Sequence, residues 1–247
     1  MSQADNPYAS WGTIAARAET SERADFIRKT YLHLAGAVAA FMAVEAVLLN
    51  SPFAGKMAAF MFTGRWTWFV VLGAFMLVSV VAQKWAQSST SVGTQYLGLG
   101  LYVVAEAVIF LPLLYIAHTF PRFNDVYGGW SAIQIAAIIT GVIFAGLTAI
   151  VFATAADFSF LRTGLMFAMF AAIGIAVCSA IFGFNLGVPF IGALVVVASG
   201  YILYHTSNVL HHYCIGQHVA ASLALFASLA LLFWYVLQLV MSLSSRD

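Results

Sequence analysis

Charged residues are scarce in this sequence. Asp, Glu, Lys and Arg make up 8% of its 247 residues, against about one quarter in an ordinary soluble domain. A soluble fold needs a charged shell around its core, so the shortage excludes one. The few charges nearly cancel, to +1, with a pI of 7.8. Nothing basic is set aside for nucleic acid, which is not expected as a partner. Cysteine is reduced to Cys178 and Cys214, which is too few for a disulfide framework, and their separation fits no metal-ligand spacing. Phosphate loops, zinc-protease motifs and nucleophile–base spacings are missing as well, so neither a cofactor nor an enzymatic activity is expected.

What the chain has instead is apolar length. It is 63% hydrophobic with a mean hydropathy of +0.95, arranged in long continuous runs rather than in the alternation of a β-barrel. In lipid such runs satisfy their backbone groups as helices. At about 20 residues per crossing, the runs 31–53, 66–85, 95–117, 130–154, 163–184, 188–218 and 219–241 predict seven spans of an all-α, polytopic membrane protein. The lipid bilayer is thus its first partner. Residues 1–30 form a polar segment without the apolar core of a cleaved signal peptide, and 242–247 a short tail. Arg17, Arg23, Arg28, Lys29, Lys84 and Arg162 fall on the amino-terminal side; Lys56, Arg65, Arg122 and Arg246 fall on the other. The positive-inside rule then puts the amino terminus in the cytoplasm, which fits a bacterial inner membrane.

Two stretches of small residues predict close helix contacts: Gly141, Ala145 and Ala149 in the fourth span, and Ala220, Ala224 and Ser228 in the seventh. The second seam makes the last helix a central one.

Ionisable residues inside a membrane are costly, at about 2.5 to 3.5 kcal/mol each on insertion scales, and are candidates for function. Glu106, in the middle of the third span, reads equally as a carboxyl bonded to a neighbouring helix and as a proton or cation stop. Glu45, nearer a helix end, is expected to reach the interface. On the sixth helix Tyr201, His205, Asn208 and His212 fall at i, i+4, i+7 and i+11, on one polar face. Lys84 lies at a depth similar to His205. Two cations make no latch, so His205 is expected to be neutral, and the commoner arrangement has Lys84 reaching to water. His211, His212, Cys214 and His218 invite a metal reading, but their spacing gives no helical i, i+4 pair among the histidines, and solvated interface histidines are the better expectation.

Phe26 to Tyr31, Glu106, Thr148 through Asp157 to Leu161, and Gly200-Tyr-Ile-Leu-Tyr-His-Thr206 together resemble the Bax-inhibitor (transmembrane Bax-inhibitor-motif) family over roughly residues 26–241. The resemblance implies a seven-helix fold whose last helix is wrapped by the other six. It also implies links to pH-sensitive calcium leak, to restraint of cell death and, in bacteria, to a membrane-bound protease. Members with the leak activity carry two latch aspartates. Here those positions fall at His205 and near Ser228, and calcium, which takes about 6 to 8 oxygen ligands, loses its usual donors. Two readings follow. One is an accessory or regulatory subunit that docks on a protein partner in the membrane. The other is a pH-sensitive calcium or proton leak in which Glu106 and the His205 stripe replace the acids. The first is placed slightly ahead, and calcium as a partner is left open.

Overall fold

A computed structural model describes residues 13–89 and 91–245, apart from the side chains of Phe62 and Arg65. The first twelve residues of the expected polar segment, and Arg246 and Asp247 of the tail, lie outside the described residues. Among those described, eight α-helices follow one another: α1 (Thr20–Leu49), α2 (Ala54–Phe62), α3 (Arg65–Ala86), α4 (Val92–Thr119), α5 (Ala132–Thr154), α6 (Leu161–Phe182), α7 (Val188–His211) and α8 (His218–Ser244). All but α2 are long and apolar enough to cross a membrane.

Local chemistry sets the helix ends. Ser91 caps α4 by accepting the Thr94 N–H at 3.2 Å. Ser131 and Gln134 form a capping box on α5, which satisfies two amide donors that a helix start would otherwise leave bare. Ala155 stops α5 in a left-handed conformation, φ 48°. Pro189 sits in the first turn of α7, where its missing N–H costs nothing.

Three boundaries differ from the sequence expectation. The sixth span, expected over 188–218, ends as α7 at His211, and a connection through Gly216, in a left-handed conformation (φ 99°), leads to α8. The first membrane helix begins at Thr20 rather than 31, because its polar start is held in helical register by Asp25, which pairs with Arg28 and Lys29, both at 2.8 Å. The expected loop around Lys56 contains α2, too short to cross a bilayer. It lies so close to α4 that a Cβ on Gly55 would fall 2.8 Å from the Tyr115 hydroxyl.

The last helix is central, as expected: α8 packs on α1, α3, α4, α5 and α7. It shares the centre with α4. Half of the apolar window of α8 and 61% of that of α4 are buried, against 17% or less in the other five spans. Helix α6 does not wrap α8; its main contact is α7, where a Cβ on Gly200 would meet Leu165 Cδ2 at 2.7 Å. The α8 seam faces inward, with Ala220 and Ser228 buried. The α5 seam is a correction: Gly141, Ala145 and Ala149 are exposed, and α5 turns Ala132, Ala136, Thr140 and Val151 to the protein instead.

Candidate functional site

A cavity of about 680 Å³ opens among α3, α4, α6, α7 and α8. Each helix contributes by its register. Tyr102 and Glu106 sit one turn apart on α4, as do Tyr201 and His205 on α7, while Ser228 comes from the middle of α8. Glu106 is 6% exposed. The His205 ring stacks on Tyr201, centroids 6.0 Å apart, and meets the Tyr204 ring edge-on at 4.8 Å. Its Nδ1 is buried with no hydrogen-bond partner. Ser228 donates its hydroxyl to the Ala224 carbonyl at 2.9 Å, so it is tied to its own helix. This wall has one carboxylate, one imidazole and several hydroxyls and amides, which suits the handling of a proton or a small cation rather than bond-making chemistry.

The five residues singled out from the sequence do not stay together. Glu106 and His205 share the cavity; Asn208, His212 and Lys84 are outside its lining. Lys84 is exposed in the last turn of α3, and the neighbouring Gln83 takes the place on the wall. The polar face of α7 therefore divides along its length. Tyr201 and His205 look into the cavity, while His212, at the end of the helix, meets another group.

That group is Asp157, in the turn between α5 and α6. The His212 Nε2 lies 3.3 Å from Asp157 Oδ2. Ser207, fully buried on α7, accepts the Phe158 N–H at 2.8 Å and directs its own hydroxyl to Asp157 Oδ1 at 3.3 Å and the Ala156 carbonyl at 3.4 Å. The Ser159 N–H, bonded to Asp157 Oδ1 at 2.9 Å, is the main cause that holds this carboxyl at about 2, below its ordinary 3.8, with His212 adding to it. In the sequence, Asp157 stands out only within the stretch that carries the family resemblance. The Asp-Phe-Ser run after a helix end is an Asx-turn signature, but its partner is fifty residues away.

The other sequence candidates separate as well. His211 Nδ1–H donates to the Ser207 carbonyl at 3.0 Å, and His218 packs on His33, ring centroids 4.9 Å apart. Among the described residues no group of three His, Cys, Asp or Glu is placed to hold a metal ion. Glu45 does not reach the interface: it is 4% exposed and neither carboxyl oxygen has a partner.

A family model described as Inhibitor of apoptosis-promoting Bax1 matches residues 23–246. The chain belongs to the Bax-inhibitor family. No curated protein matches it. In this Bax-inhibitor chain His205 and Ser228, at and near which the resemblance calls for aspartates, both line the cavity, together with Glu106. The α7–α8 connection is clasped from outside: the Ala15 N–H bonds to the Tyr213 carbonyl, and the Ile215 N–H to the Thr13 carbonyl, each at 2.9 Å. This strap and the Asp157 turn close one end of the bundle, its near face.

Proposed function

We propose that this Bax-inhibitor protein is a non-enzymatic leak for protons, or for small monovalent cations, seated in a bacterial inner membrane with its amino terminus in the cytoplasm. The observation that supports it is that Glu106, on α4, and His205, on α7, line one cavity. Both groups can gain or lose a proton, and both are set beside a volume large enough for water. The near face is shut by fully buried Thr206 and Ser207 and by the Asp157 tie, which suits a closed resting state. With a single carboxylate on its wall, the cavity lacks the donors that calcium requires. Reconstitution in liposomes loaded with a pH dye or a calcium dye tests the reading. Proton flux without calcium flux is expected; calcium flux of similar size, or no flux at any pH, overturns it.

The accessory-subunit reading has one observation in its favour. The Gly141, Ala145 and Ala149 stripe of α5 is uncovered, and a Cβ on Gly141 would have nothing within 4 Å, so a foreign helix could approach there. Under that reading a large membrane partner co-purifies in mild detergent, and Ala145→Leu releases it.

A further inference from the structure

The cavity has two chemically different halves. Toward the near face its wall carries Gln83, Tyr102, Glu106, Tyr201, His205 and Ser228; toward the opposite, far face Leu72, Phe110, Phe190, Leu194, Leu231 and Trp234 predominate, with Tyr235 and Gln238 among them. The far half is roofed by stacked rings: Trp68 on Trp234 at 5.9 Å, and Phe110 edge-on to Trp234 at 5.0 Å. Nothing in a proton path requires so much aromatic surface.

Beside the far half lies a second recess of about 310 Å³, with Ile191 and Gln238 on the walls of both. Among the described residues Arg122 is the one charged residue on that recess wall, which Ser242 also lines. Its guanidinium lies 4.7 Å above the Phe123 ring, and among the described residues it pairs with no carboxylate. Such a group is suited to a two-pronged grip on phosphate.

The cavity is also open sideways. Helices α3 and α6 both line it, yet they form no packed pair, so lipid can enter between them. Its length suits one leaflet. From Gln238 to Ser228 on α8 is ten residues, about 15 Å at 1.5 Å per residue, which is half of a hydrocarbon core of about 30 Å.

We infer that the far half of the cavity and the recess beside it form a lipid site, which takes one acyl chain of an anionic bilayer phospholipid and holds its phosphate at Arg122 and Ser242. The chain enters between α3 and α6 and ends where the wall turns polar, at Glu106 and Ser228. An anionic headgroup is specified because the recess offers a cation and, among the described residues, no acid to meet an amine. The site does not depend on ion passage, and its test reads bound lipid rather than flux.

Full-length protein in mild detergent is mixed with equal amounts of phosphatidylglycerol and phosphatidylcholine, and its bound lipid is counted by native mass spectrometry. One phospholipid per chain is expected, with phosphatidylglycerol favoured by about tenfold, because both lipids bring the phosphate but the choline of phosphatidylcholine sets a second cation against Arg122. Arg122→Gln should reduce that preference toward parity. Lys56→Gln, an exposed cation of α2 outside both recesses, should leave it unchanged. Ala172→Trp, on the α6 wall, should expel the lipid. No retained lipid in the wild type, equal retention of the two lipids, or a preference that survives Arg122→Gln overturns the inference. Arg122 is on the surface, so its variant decides the matter even if the Trp variant fails to assemble.

Discussion

Gly98 gives the most direct test of how the walls of the cavity are held. It lies where α4 crosses α3, and a Cβ added there would sit 2.5 Å from both the Ala82 carbonyl oxygen and the Ala86 nitrogen, and 3.0 Å from the Trp85 carbonyl carbon. These are backbone atoms of a helix and cannot rotate aside. Gly98→Ala therefore forces the two helices apart by a sizeable part of an ångström, and overpacking of this kind costs about 1–3 kcal/mol. Part of the cost is offset, because alanine is favoured over glycine inside a helix by about 1 kcal/mol. Gly141→Ala supplies the control. It brings the same gain in propensity, but its Cβ meets nothing within 4 Å. The propensity terms cancel between the two variants, which leaves Gly98→Ala the less stable by about 1–3 kcal/mol. For a chain of this size that is a gap of several degrees, at about 2–4 °C per kcal/mol. Thermal unfolding of both variants in one detergent measures it. Equal melting temperatures, or a more stable Gly98→Ala, would refute the close packing of α3 on α4 and with it the place of Gln83 on the cavity wall.

Two further outcomes are expected. Glu45→Met should stabilise the bundle by about 1–3 kcal/mol, because it removes a buried carboxyl with no partner; a loss of stability would mean that the carboxyl is engaged. The Asp157 tie should respond to acid with a definite sign. Its carboxyl is held at about 2 against an ordinary 3.8, so its stabilisation is fully present above the ordinary value and disappears as pH falls through about 2. Amide exchange at residues 156–159 should therefore be slow relative to Asp157→Asn at pH 5 and lose that advantage near pH 2; identical protection in the two proteins at pH 5 would contradict it.

The spans were legible because an uninterrupted apolar run of membrane length has little else to be than a membrane helix, and the centrality of α8 followed from its Ala220 and Ser228 seam. Small-residue spacing misled at α5. It shows that Gly141, Ala145 and Ala149 share a face, but it carries no information about which way that face turns. Helix α2 escaped notice because nine residues fall below the length at which hydropathy is diagnostic. Of the site, Glu106 and His205 could be singled out since ionisable groups stand out in an apolar background. Their meeting could not be read, because it depends on the rotation of α4 against α7. The split of the α7 stripe was hidden for another reason: His212 lies beyond the end of the cavity, and its partner Asp157 comes from a turn fifty-five residues earlier.

The central claim is that Glu106 and His205 act together in one cavity, and a double-mutant cycle on proton flux in liposomes tests it most directly. Glu106→Gln and His205→Asn should each lower the flux by about tenfold or more, and the double variant should fall no further than the stronger single one, as expected of groups that act as a unit. Flux that is unchanged in both single variants, or losses that simply multiply in the double variant, would contradict the account.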